Sequence, residues 1–96
     1  MAEDIGPSVG KLRIKIVSQI QVELDTEADA VQVPTSDGVR VFIPGRAPMI
    51  CALGAGEIVL LNNNKPQERF SIQNGICEIR RDICAILASS VASPVK

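Results

Sequence analysis

Apolar and polar residues alternate along most of the chain with a period of two. Leu12, Ile14 and Ile16 fall on one side of an extended segment and Lys11, Arg13 and Lys15 on the other, the pattern of a strand with one wet face. Ile20, Val22 and Leu24 repeat it against Gln19, Gln21 and Glu23, and Val31 and Val33 follow within Ala30–Pro34. Ser36-Asp37-Gly38 supplies a turn. Val39, Val41 and Ile43 then alternate with Arg40 and Phe42. Met49–Leu53 is short and apolar, Gly54-Ala55-Gly56 turns the chain into Glu57–Leu61, and Asn62-Asn63-Asn64 reads as a polar hairpin tip. Gln67–Ile72 returns, Asn74-Gly75 signals a tight turn, and Ile76–Arg80 runs to a turn at Arg81-Asp82. Ile83–Ala88 is apolar at almost every position and reads as a strand buried on both faces.

These segments predict eight or nine strands at short, even spacing, which is the signature of a sandwich or closed barrel. The expected fold is all-β: a single antiparallel β-sandwich or flattened barrel over residues 11–89. A flexible lead precedes it at 1–10 and a tail follows at 90–96. Ala85–Ala92 has fair helix propensity, but it carries β-branched residues and two serines and stops before Pro94, so its second half reads as frayed. Pro44 and Pro48 bracket a loop that cannot donate to a ladder at either end. Gly45 between them suits a backbone conformation closed to residues with a Cβ.

Composition narrows the chemistry. With 96 residues there is room for one domain only. The net charge of -1 and the presence of only two aromatic residues, Phe42 and Phe70, argue against a nucleic-acid surface. The chain has no histidine, so Ser–His and Cys–His nucleophile pairs and histidine-based metal sites are excluded within it. Gly54-Ala55-Gly56 is too short for a phosphate loop. The three cysteines, Cys51, Cys77 and Cys84, have no CxxC spacing and read as reduced thiols. Glu23, Asp25, Glu27 and Asp29 form the one acidic cluster from which a catalytic pair could be drawn, although such clusters are usually solvated. No apolar run approaches a membrane span, and Met1–Gly10 resembles neither a signal nor a transit peptide. The expected protein is not an enzyme, and no cofactor or metal is implied.

One stretch is more specific. Ser36-Asp37-Gly38-Val39-Arg40-Val41-Phe42-Ile43-Pro44-Gly45-Arg46-Ala47-Pro48 resembles the most recognisable segment of the epsilon subunit of F-type ATP synthases, the mitochondrial delta equivalent. That family shows a strand, Pro-Gly-His-Ala-Pro, an apolar strand and a glycine-bearing turn. The flanks follow in the same order: Ile16-Val17-Ser18, Ala30–Pro34, Arg69–Ile76 and Ile83–Ala88, so the resemblance runs from about Leu12 to Ala88. Arg46 replaces the family's histidine, and Val41 stands where a glycine is common. The family's C-terminal helical hairpin has no counterpart before Lys96, so the regulatory roles tied to those helices do not carry over.

The resemblance implies a non-catalytic rotor subunit of the central stalk, joining the gamma subunit to the c-ring of a proton-translocating ATP synthase. Such a subunit sits peripherally on the cytoplasmic side of a bacterial inner membrane. By the same resemblance, Ser18, Arg46, Ala47, Pro48 and Cys51 would lie at gamma, and Asp37, Gly38, Val39 and Arg40 at the c-ring. Pro44 and Gly45 would shape the loop between. The alternative is a free-standing β-sandwich adaptor with some other protein partner.

Overall fold

Alternating segments become strands because one face of each can be buried while the other stays wet. The computed structural model describes residues 10–45 and 47–92, and among these there are ten strands. They are β1 (Leu12–Val17), β2 (Val22–Ala28), β3 (Ala30–Thr35), β4 (Gly38–Phe42), β5 (Met49–Leu53), β6 (Gly56–Asn62), β7 (Lys65–Ile72), β8 (Gly75–Arg80), β9 (Ile83–Ala88) and β10 (Val91–Ala92). One layer has the order β10-β7-β6-β3-β4 and the other β5-β8-β9-β1-β2. The layers are continuous at a narrow corner, where Thr35 of β3 pairs with Leu53 of β5 and the Gly54 amide donates to the Pro34 carbonyl at 2.8 Å. The pairings are antiparallel apart from β1 with β9, which is parallel. Alternation along a strand carries no information about its neighbour's direction, so this pairing departs from the purely antiparallel expectation.

The interior is apolar. Leu12, Ile14 and Ile16 of β1 and Cys84 and Ile86 of β9 meet Val31, Val33, Ile58, Phe70 and Ile72 from the opposite layer, and Phe42 closes the β4 edge. Among the described residues no polar or charged side chain is buried, so cohesion comes from apolar burial at close packing.

Several local readings change in three dimensions. Val91–Ala92 is not frayed but pairs with Ser71–Ile72 as an added edge strand; residues 93–96, like 1–9, lie outside the described residues. Asn74-Gly75 is not a hairpin turn, since β7 pairs with β6 and β10 while β8 pairs with β5 and β9. The bend carries the chain from one layer to the other. Gly75 is required there because a Cβ would sit 2.4 Å from the Leu87 carbonyl oxygen. A register shift after Ile16 pairs Val17 with Val22, and this turns Val22 outward while Leu24, opposite Ile16, still faces the core. Among the described residues, two of the three tight hairpins are made without glycine: Asn63 and Asn64 have φ of 55° and 63°, and Arg81 and Asp82 have 54° and 61°.

Asp29, between β2 and β3, ties a corner together. Its carboxylate accepts the Asn63 amide at 2.8 Å and the Lys11 ammonium at 2.9 Å, and its own amide donates to Asn62 Oδ1 at 2.9 Å. The Asn63 N–H first, then Lys11, hold the carboxyl below the usual aspartate range.

Two outcomes are expected. Gly75→Ala should lower stability by about 2–4 kcal/mol in urea titration, because the clash is with backbone that cannot move aside. For Asp29, a folded pKa below the unfolded one gives stability that is present above about pH 4 and is lost as pH falls through the folded value. Asp29→Asn should therefore shrink the gap between urea midpoints measured at pH 6 and pH 3.

Candidate interaction surfaces

The outer face of the β5-β8-β9-β1-β2 layer carries an unbroken apolar row. Ala52 pairs with Ile76, Ile76 with Leu87, Leu87 with Val17, and Val17 with Val22. Ile76 is 51% exposed and Leu87 58%, and neighbouring Ile50 on β5 is 70% exposed. The next row along the strands is mixed and charged: Ile50, Glu78, Ala85, Lys15 and Asp25. The face is thus apolar toward Ser18 and charged toward the Arg81-Asp82 turn. Strand β9, expected to be buried on both sides, buries Cys84, Ile86 and Ala88 but turns Leu87 to solvent. Isolated exposed aliphatics need no explanation, whereas a contiguous row of them marks a contact surface.

Of the residues expected at gamma, Ser18, Ala47 and Pro48 lie at the borders of this face. Ser18 follows β1 beside the row, lining a shallow depression with Val17, Leu87, Ala88 and Ser89. Its hydroxyl donates to Glu23 at 2.8 Å and receives the Ile20 amide at 3.2 Å, which shapes the turn into β2. Pro48 borders the opposite edge, in a second depression with Ile50, Glu78 and Arg80, and Ala47 next to it is exposed. Arg46 lies outside the described residues. Cys51 points the other way, into the gap between layers, and is half-buried. Sequence reasoning missed Ile50, Ile76 and Leu87, because only the ladder register reveals that outward positions of five neighbouring strands align.

The residues expected at the c-ring sit on the other layer. Asp37 and Gly38 form the β3–β4 turn, held by Thr35, whose hydroxyl donates to the Gly38 carbonyl and accepts the Asp37 amide at 3.1 Å. On edge strand β4, Phe42 faces inward, so Val39, 65% exposed, together with Val41 and Ile43, faces out. Arg40 reaches across the open edge to β5, with Nη1 3.5 Å from Met49 Sδ. The Pro44–Pro48 loop leaves β4 here. Gly45 has φ of 89°, a conformation that favours glycine, and its amide donates to Asp82 Oδ1 at 2.7 Å.

Other chemistry finds structural uses. Glu23 is held by Ser18, Asp25 by Arg13 at 3.0 Å and Asp29 by Lys11. Cys77 and Cys84 are buried with their sulfurs 3.5 Å apart, and Cys51 is the cross-strand partner of Cys77. Burial, then Cys77, pushes the Cys51 thiol pKa up; the Cys84 hydrogen bond, then burial, raises that of Cys77. Among the described residues no cluster of three or more ligating side chains could hold a metal ion, and no helix is long and apolar enough to cross a membrane.

An apolar-cored, two-layer β-sandwich with exposed aliphatic residues on both outer faces defines the class. Residues 11–94 match the family of the ATP synthase Delta/Epsilon chain β-sandwich domain, and the chain belongs to that family. It is 35% identical over 82 residues to the ATP synthase epsilon chain of Granulibacter bethesdensis, covering 85% of this chain and 60% of that one. It is 37% identical over 76 residues to the epsilon chain of Rhodopirellula baltica, covering 79% and 59%. The chain thus spans about three-fifths of the length of these relatives. The fold is shared with a chain in the structure of the Euglena gracilis mitochondrial ATP synthase containing OSCP, F1 and c-ring. The TM-score is 0.80 at 14% identity, covering 97% of this chain and 58% of that one. A chain in the central stalk and c-ring structure of the Tetrahymena thermophila enzyme gives a TM-score of 0.71 at 11% identity, covering 86% and 66%.

The thiols offer a check on which way each strand faces. At neutral pH a maleimide should label Cys51 slowly and Cys77 and Cys84 only when urea unfolds the chain, and Cys51 labelling should speed up as pH rises. Rapid labelling of Cys77 or Cys84 in the folded protein would contradict the inward orientation of β8 and β9.

Proposed function

We propose that this chain is the sandwich of a non-catalytic central-stalk subunit, joining the gamma subunit to the c-ring of a proton-translocating F-type ATP synthase. It would work peripherally, on the cytoplasmic side of a bacterial membrane. The observation that carries the reading is the pair of aliphatic patches on opposite outer faces: Ile50, Ile76, Leu87 and Val22 on one layer, Val39, Val41 and Ile43 on the other. A body with one such patch on each side suits a place between two partners. Family membership supports which partners those are.

On this reading gamma covers the Ile76–Leu87 row, with Ser18 and the Pro48 edge at its margins, and the c-ring meets the Asp37–Arg40 turn and the outer side of β4. Cys51 contributes through its strand rather than its side chain, because the thiol faces inward. Each aliphatic side chain taken out of water by a partner adds about 1.5–3 kcal/mol at most, so a few central residues suffice to hold the complex. The subunit's contribution is mechanical. Torque passes through a body only if the body does not yield, and close-packed apolar interiors have low compressibility.

The test is titration of the cognate gamma subunit with wild type, Leu87→Glu and Val39→Glu. Leu87→Glu should weaken the complex at least thirtyfold, about 2 kcal/mol, with the thermal midpoint little changed because the site is exposed. Val39→Glu should leave gamma binding intact. Equal binding by all three would remove gamma from this face. No complex with the wild type would favour an adaptor for another partner.

A further inference from the structure

The Arg81-Asp82 turn is an unusual choice for a two-residue hairpin. Both residues hold positive φ, where Asn-Gly or Asp-Gly is the low-strain solution. Asp82 does more than turn the chain. Its carbonyl receives the Arg13 amide at 2.9 Å, which fixes the turn to the start of β1. Its carboxylate receives the Gly45 amide at 2.7 Å, across 37 residues of sequence. Pro44 and Pro48 leave the loop between them with few amides of its own to anchor, and Gly45 is the described residue of that loop whose N–H is held by a side chain. Glycine at position 82 would relieve the backbone but lose the acceptor.

We infer that Asp82 is a positioning residue, pinning Gly45 beyond the end of β4 against the β8–β9 turn, so that the Pro48 edge is presented as a fixed wall of the layer face carrying Ile50, Ile76 and Leu87. The depression lined by Pro48, Met49, Ile50, Glu78, Ile79 and Arg80 lies over the paired start of β5 and end of β8, next to the pinned turn. The inference rests on the gamma reading above and adds a residue outside the contact itself: Asp82 acts through Gly45, by fixing the chain at the exit of β4 before docking.

The test compares wild type, Asp82→Gly, Asp82→Asn and Arg81→Gly for gamma binding, thermal midpoint and hydrogen exchange at the Gly45 amide. Asp82→Gly should weaken gamma binding at least fivefold and speed Gly45 exchange at least tenfold, without lowering the thermal midpoint, because the turn itself is relieved. Asp82→Asn keeps a side-chain oxygen acceptor and tolerates positive φ, so it should bind within twofold of wild type. Arg81→Gly relieves strain without touching the pin and should also bind as wild type. A merely structural role would move binding and stability together. If Asp82→Gly binds gamma as wild type does, the positioning role is overturned while the gamma reading stands. If wild type fails to bind gamma, both fall, and Gly45 exchange then reports only whether the hydrogen bond persists in solution.

Discussion

Each strand of a two-layer sandwich has one face committed to the interior, and in this molecule that interior accepts nothing polar. With no buried polar or charged side chain among the described residues, every charged group must find its place outside or at an edge. The ion pairs Lys11–Asp29, Arg13–Asp25, Arg69–Glu57 and Arg80–Glu78 all do so. The outer faces should then be polar throughout, and over much of their area they are. Where they are not, along Ile76, Leu87 and Val17 and along Val39, Val41 and Ile43, the departure needs a cause beyond folding. Contact with other proteins supplies one.

The same commitment accounts for stiffness. The layers meet through the Thr35–Leu53 corner, the β1–β9 pairing joins distant parts of the chain, and Asp29 and Asp82 each tie a hairpin or loop to a strand far away in sequence. Both aspartates accept backbone N–H groups, which fixes corners of the fold although no polar side chain is buried among the described residues. A sandwich braced in this way would hold contacts on opposite faces at a constant separation, as the proposed coupling role requires.

The strand pattern, the all-β class and the non-glycine turns at Asn62–Asn64 and Arg81-Asp82 were legible because they depend on local alternation and turn chemistry. The Pro-Gly-x-Ala-Pro segment and its ordered flanks were legible as family likeness. What could not be read depends on register. Ile83–Ala88 is apolar on both sides, and nothing local says whether Leu87 meets another layer or water. Gly75 looks like half of an Asn-Gly hairpin, yet its lack of a side chain answers to the Leu87 carbonyl. Val22 changes face through a one-residue shift opposite Val17. Cys51 was placed at an interface by likeness alone, and the ladder turns its side chain inward. Such facts belong to pairings between strands distant in sequence, which periodicity along one strand does not encode.

The central claim is that the two aliphatic faces are contact surfaces, one for gamma and one for the ring. A cryo-EM map of a rotor assembled with this chain tests it most directly. The account predicts gamma density packed on Ile76 and Leu87, with Pro48 at its margin, and c-ring loops against the Asp37–Arg40 turn and β4. Density that left both aliphatic rows open to solvent, with gamma and the ring held through other edges, would contradict it.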